Sequence, residues 1–418
     1  MITRRQFIHR SLLGTGGLLA ASAAAPTPSR SAGQVVVSFW SGTDPTVKKV
    51  LEEELLPKFH KENPDITVET TLLQWMEFFQ KVSVAFTGGT GPDVVGSGYG
   101  QLGSMIGNKW VQPIDDIIKG WPDLNDIQPV GLDSGKKDGK RYGVLLPDLR
   151  PFNYRKDYYR EAGLDPERPP RNWEELREYA RKLTKRDGNR VTRAGIDIPI
   201  KNGEQFFASV AFTRGLKNLW DEAGGPLFNG PEGVETMEFL LRLMREDKVT
   251  VPSDQQAAAG SAFQTGAAAQ GFLQSQLYAA IDRNAPGALG VAIPPANPKT
   301  QALVLGTFYG LSARAKNVEA AGKLIKFLFS ADSMWAMYRA AGFQPMMRKS
   351  LAERFAKERP YNSVVTKTLE NAVGWPIFPT FLQARQIIIT QLEAIYVGQK
   401  SPKDGLRHAA EETKKLAG

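Results

Sequence analysis

Val35-Val36-Val37-Ser38-Phe39-Trp40 is a nearly unbroken apolar run, the pattern of a parallel strand covered on both faces. Thr43-Asp44-Pro45 follows it, with a capping side chain and a proline suited to a first helical turn. Val47, Leu51 and Leu55 then recur every four residues, which predicts a helix with one apolar face. Asn63-Pro64 ends that helix, and Ile66, Val68 and Thr70 alternate as a second strand with Gln74-Trp75 at its end. Phe78, Val82 and Phe86 mark a second helix, and Pro92-Asp93-Val94-Val95 a third strand. Strand, helix, strand, helix, strand predicts a right-handed parallel α/β layer.

From Arg141 to Asp165 the pattern is interrupted. Tyr142 to Leu146 predicts a short strand that Pro147 stops, because proline brings no N–H to a ladder. Asp148, Arg150 and Pro151 break the alternation before Phe152 and Tyr154 resume it, and a helix from Lys156 to Ala162 closes on Gly163. A strand that halts, shows an acid and a base, and restarts suits a crossing between two lobes, which makes Asp148 and Arg150 cleft residues. The competing reading is a surface turn holding a weak ion pair.

Beyond the crossing, Asn172 caps a helix through Leu183, and Asp187-Gly188-Asn189 turns into a strand ending near Ile200. Glu204 to Leu219 and Pro231 to Met244 are predicted helices, separated by Gly224-Gly225-Pro226. Ala257 to Ala269 is rich in alanine, yet too apolar at Phe263 to be a mere linker. Val291 to Pro295 predicts a strand running into a second crossing, and Gly306 to Ser312 precedes a helix over Val318 to Phe329. The rest, from Ser333, is helical, with breaks at Gly342 to Pro345 and Gly374 to Pro379.

Composition narrows the chemistry. The 418 residues are 42% hydrophobic and 23% charged, ordinary for a globular chain of two or three domains. No run past the leader approaches the ~20 apolar residues of a membrane helix. The absence of cysteine removes disulfides, thiolate metal sites, a cysteine nucleophile and a lipid-modified N-terminal cysteine, so a free, soluble mature protein is expected. Thr3-Arg4-Arg5-Gln6-Phe7-Ile8, the weakly apolar Ser11 to Ala21 and the small residues at 21–25 form a twin-arginine-type signal peptide, with a linker to Gly33. Removing Arg4, Arg5 and Arg10 takes the formal charge from +9 to +6. The remaining basic residues are scattered, so no nucleic-acid partner is expected.

Two familiar patterns fail on inspection. Gly98-Tyr99-Gly100-Gln101-Leu102-Gly103 fits G-x-G-x-x-G after a strand. Gly107 and Trp110 interrupt the helix that should follow, and Asp115-Asp116 come too soon for the ribose-binding acid, so no dinucleotide cofactor is expected. Only His60 and His408 survive leader removal, far apart in sequence. A histidine triad or histidine metal cluster is therefore not expected, and no catalytic residue, metal or cofactor is assigned.

Taken together, the segments resemble the extracellular solute-binding proteins of ABC sugar importers, the family that includes maltose-binding and glycerol-3-phosphate-binding proteins. The resemblance rests on Phe39-Trp40-Ser41 with Glu62-Asn63-Pro64-Asp65, and on Ala85-Phe86-Thr87-Gly88-Gly89 leading to Pro92-Asp93-Val94. It continues through Tyr154-Arg155-Lys156-Asp157 with Glu161-Ala162-Gly163-Leu164, and Pro170-Arg171-Asn172-Trp173-Glu174-Glu175-Leu176. Phe263-Gln264-Thr265-Gly266-Ala267-Ala268-Ala269 matches a box that usually carries a lysine, absent here; Lys316 to Ala321 and Gly342-Phe343-Gln344-Pro345 complete the set.

The resemblance implies an α/β, type II periplasmic-binding-protein fold: two hinge-linked lobes with the ligand in the cleft between them. One lobe would comprise 34–145 plus 294–330, the other 147–293 plus 333–418, after the leader at 1–33. It further implies a monomeric periplasmic binder, not an enzyme, that passes a mono- or oligosaccharide to the transmembrane subunits of an ABC permease. The rival readings are a binder of glycerol 3-phosphate or another anionic polyol, favoured by Arg150, and a secreted carbohydrate-active enzyme using two carboxylates.

In parallel sheets ligands sit beyond the carboxyl ends of strands, and sugars suit flat aromatic faces flanked by hydroxyl, amide and carboxylate groups. The candidates after the first strand are Trp40, Ser41, Thr43 and Asp44; after the second, Gln74 and Trp75; after the third, Ser97 and Tyr99. Asp148 and Arg150 come from the crossing. Phe206, Phe272, Thr307, Tyr309 and Trp375 fall in segments that face the cleft in the family, with Phe272 where a tryptophan is common.

Overall fold

In the computed structural model, which describes residues 34–251, 262–296, 301–342 and 347–416, the first three predicted strands lie side by side. The leader and linker, the alanine-rich start at 257–261 and the 343–345 part of the later glycine–proline break lie outside the described residues. Val35–Gly42 is central and pairs in parallel with both neighbours: Val35 lies opposite Ile66, and Phe39 opposite Val94. Val37 and Phe39 are fully buried. Asp44 caps the first helix, accepting from the N–H groups of Thr46 and Val47 at 2.8 and 3.0 Å. That helical run continues to Glu62 with a π-helical turn at Leu51–Leu55. Pro57, which has no N–H for the usual helical bond, sits just beyond that turn. Val47, Leu51, Leu55 and Phe59 form the buried face.

The long strand Ala302–Ser312 joins the three parallel strands to the Val144–Arg150 strand. It runs antiparallel to Val94–Gly98 on one side and to Val144–Arg150 on the other, with Leu303 opposite Arg150. Short strands at Val111–Gln112 and Ala372–Val373 bring this sheet to seven strands among the described residues. The strand expected to stop at Pro147 runs on to Arg150. The N–H of Leu149 points away from the sheet, to Ser275 Oγ at 3.3 Å. Pro147, two residues earlier, shares that orientation, so its missing N–H removes no ladder bond.

The break comes instead at Pro151. Phe152–Arg155 then becomes the middle strand of a second, antiparallel sheet, between Gln270–Phe272 and Leu289–Ala292. One continuous segment, Val144–Arg155, therefore serves both sheets. Asn172 caps Trp173–Leu183 as expected, accepting from Glu175 N at 2.9 Å. The strand after Asp187-Gly188-Asn189 ends at Arg193 rather than near Ile200. The helix at Glu204 ends at Thr213, short of Leu219, because Gly215 turns the chain with φ +104. Ala331–Ala341 is tied to the first helical run by Lys58–Asp332 at 2.5 Å and Arg339–Glu54 at 3.1 Å. Phe381–Tyr396 and Pro402–Lys414 pack together at the C-terminal end. No helix among the described residues is long and apolar enough to cross a membrane.

Candidate functional site

A cavity of about 250 Å3 opens where the end of the third strand, the crossing strands and the helix Phe381–Tyr396 converge. Its aromatic wall is made by Trp75, Phe79, Tyr99, Trp375 and Phe381. Trp75 is half-buried at the start of its helix and tilts over Phe79, with ring centroids 5.6 Å apart. Glycine at 42 makes room for that ring: a Cβ there would lie 2.2 Å from it. Tyr99 meets Phe308 edge-on at 4.9 Å. Burial pushes the Tyr99 phenol up to about 12, against a hydrogen bond with Ser134 that acts the other way, so it stays a neutral hydroxyl. Trp375 is only 4% exposed and is wedged between Trp220 and Phe381, at 6.4 and 5.2 Å.

The polar wall carries two arginines, and each meets a buried carboxylate. Arg150 Nη1 donates to Asp148 Oδ2 at 2.8 Å and to the Asp148 carbonyl at 2.9 Å, while Nε donates to Gln205 Oε1 at 3.0 Å. Both side chains of the pair are under a tenth exposed, so this is no surface turn. Ser275 Oγ donates to the other Asp148 oxygen at 3.1 Å. Arg385 Nε and Nη2 donate to Glu204 Oε1 at 2.8 and 2.7 Å, and Glu204 is fully buried. Gln101, Gln274 and Thr307 add uncharged donors and acceptors.

The G-x-G-x-x-G run has a packing explanation. A Cβ at Gly100 would lie 2.2 Å from the Phe381 ring, and one at Gly103 2.2 Å from the Phe378 carbonyl oxygen. These glycines let the Phe378–Phe381 segment close onto the third strand's turn. Among the described residues no cluster of three or more histidine or carboxylate side chains is placed to hold a metal ion.

The family model for bacterial extracellular solute-binding proteins matches residues 41–335. The chain belongs to this family. The sn-glycerol-3-phosphate-binding periplasmic protein of Escherichia coli is 25% identical over 433 aligned residues, covering 97% of this chain and 96% of that protein. A solute-binding protein of an ABC transporter from Thermotoga lettingae, bound with α-D-tagatose, superposes with a TM-score of 0.82 at 23% identity over 92% of this chain and all of that one. Maltose-bound MalE3 of T. maritima gives 0.78 at 24% identity, over 91% of this chain and all of that one. The two-lobed α/β fold implied by the sequence is thus the fold of this solute-binding protein.

Of the sequence candidates, the structure brings Trp75, Tyr99, Asp148, Arg150, Thr307 and Trp375 to the cavity. The others lie outside its lining. Asp44 is occupied as a helix cap, and Thr43 is buried with its hydroxyl on the Asp44 carbonyl at 3.2 Å. Ser41 and Ser97 are buried within their strands, and Ser41 Oγ donates to the Gly42 carbonyl at 2.9 Å. Trp40 packs half-buried against the core, and Gln74 is exposed. Tyr309 packs into the core, tilted against Phe39 and edge-on to Phe329, where burial raises its phenol. Phe206 and Phe272 form an edge-to-face chain with Phe152 in the second sheet.

Sequence reasoning missed Phe79, Gln205, Gln274, Phe381, Leu382 and Arg385. Phe79 lies four residues along the helix from Trp75, so the helical period could have found it. Arg385 and Glu204 are far apart in the chain, and no local pattern links them.

Proposed function

We propose that this solute-binding protein captures a neutral mono- or oligosaccharide in the aromatic cavity and delivers it to the membrane subunits of an ABC importer. The observation that carries the reading is charge balance beside aromatic faces: Arg150 and Arg385 each already hold a buried carboxylate. A phosphate would find no uncommitted guanidinium there, whereas sugar hydroxyls suit the amides, Thr307 and the aromatic wall. The sugars named for the structural neighbours support the same choice. The likeness to the glycerol-3-phosphate-binding protein supports the alternative. Asp148 is the single acid among the lining residues, and glycoside hydrolysis uses two, which supports a binder that leaves its ligand intact.

Calorimetric titration with tagatose, maltose, maltotriose and glycerol 3-phosphate tests this. A neutral saccharide should bind at micromolar strength, about −8.2 kcal/mol, and be recovered unchanged. Binding of glycerol 3-phosphate alone would hand the assignment to the anionic ligand.

The lobes divide best at Pro151 and in the Ile293–Pro295 segment, since the strands on either side of those points belong to different sheets. Ala331–Ala341 then travels with the first lobe through its two ion pairs. Export to the periplasm by the twin-arginine route rests on Arg4-Arg5 ahead of Phe7. Replacing both arginines with lysine should hold the precursor in the cytoplasm, and an unchanged periplasmic yield would point to another route.

A further inference from the structure

Residues 374–381 pass one end of the aromatic cavity as a short strap, and the chain is fastened before and after it. Ala372–Val373 pairs with Ala302 and Leu303, and Phe381 opens the helix that runs to Tyr396. Pro376 and Pro379 stiffen the span by fixing φ. Along one flank lies the turn after the third strand, where Gly100 and Gly103 admit the strap. A Cβ at Gly374 would fall 2.1 Å from the Tyr99 hydroxyl, and Ser104 Oγ donates to the Pro379 carbonyl at 2.6 Å. Along the other flank Asn218 Nδ2 donates to the Gly374 carbonyl at 2.7 Å. Trp220 meets the rings of Phe378 and Phe381 at 6.1 and 5.2 Å. Gly224, at φ +92, fits there because a Cβ would lie 2.7 Å from the Phe378 ring.

Trp375 and Phe381 line the cavity, whereas Ile377 and Phe378 are buried outside its lining. This end is therefore packed protein and not a passage. The floor is equally solid: Leu305, Gly306 and Thr307 line it and lie opposite Asp148, Pro147 and Leu146 in an unbroken ladder. On the aromatic wall Trp75 is held against Gly42, Phe78 and Phe79.

We propose that the cavity is built for one sugar ring, which makes the ligand a monosaccharide and not an oligosaccharide. The proposal rests on the saccharide reading above and narrows it. The space between these walls is about 250 Å3. At the packing density of organic crystals a hexose takes roughly 190 Å3 and a disaccharide roughly 360 Å3. One ring fits, with room for about two waters. A second ring has to displace the strap or the Trp220 cluster behind it.

Calorimetry on the full chain tests it with D-glucose, maltose and maltotriose, with D-mannose, mannobiose and mannotriose, and with D-tagatose, D-galactose and D-xylose. The tightest ligand should be a monosaccharide. Adding one unit to it should weaken binding about tenfold or more, the cost of overpacking a filled space. Phe381→Ala takes one ring from the end wall and should shrink that ratio. A merely weakened core would lower both affinities together and leave the ratio as it was. A di- or trisaccharide that binds as tightly as every monosaccharide overturns the proposal and leaves the saccharide reading standing. A ratio unchanged in Phe381→Ala also overturns it, because the end wall then sets no limit. Binding of no sugar at any length brings down the saccharide reading, and the proposal with it.

Discussion

Replacing Asp148 with alanine is expected to destabilise the protein by about 3–5 kcal/mol, the usual cost of leaving one member of a buried ion pair behind. Asp148 and Arg150 have 6% and 8% exposed side chains and meet at 2.8 Å. Without the carboxylate, Arg150 keeps only Gln205 and the residue 148 carbonyl as acceptors, and Ser275 loses its acceptor. The double change Asp148→Leu with Arg150→Met should recover much of the loss, because an apolar pair of similar volume carries no desolvation cost. Urea unfolding of the three proteins reads the effect. A loss below about 1 kcal/mol in Asp148→Ala, as an exposed pair would give, would show that the pair is solvated. The double variant also separates stability from recognition: if the pair contacts sugar, it folds and fails to bind.

The two cavity tryptophans should part company when each is cut to alanine. Trp375 is 4% exposed and packed against Trp220 and Phe381, so Trp375→Ala should cost about 3–5 kcal/mol of stability by opening a void in the core. Trp75 is half-buried and lies at the cavity wall against Phe79. Trp75→Ala should leave most of the stability in place and weaken saccharide binding by about 2 kcal/mol or more, roughly thirtyfold. Thermal melts beside calorimetry on both variants decide it. Should Trp75→Ala bind maltose and tagatose as the wild type does, the stacking surface lies elsewhere in the cavity.

Much of the fold that depends on local pattern was readable in the chain. The parallel strands at Val35, Ile66 and Val94, the caps at Asp44 and Asn172 and the turn at Gly163 follow from side-chain period and backbone preference, which are properties of neighbouring residues. The same locality explains the candidates just past strand ends: the sequence places Trp75 and Tyr99 there, and both reach the cavity.

Local pattern could not say which way Pro147 faced. That depended on its strand being at a sheet edge, with the Leu149 N–H turned out to Ser275, a partner 126 residues later. Nor could it separate Trp75 from Trp375, or Asp44 from Asp148, because residues of the same type take their roles from the atoms around them. Asp44 is spent on two N–H groups of its own helix, whereas Asp148 meets Arg150 in a wall completed by Gln205, Trp375 and Arg385. The sequence alone determined the family and much of the alternation of strands and helices. Tertiary structure alone decided which polar and aromatic groups share a cavity and that its arginines arrive already neutralised, since burial and pairing across long separations leave no periodic trace in the chain.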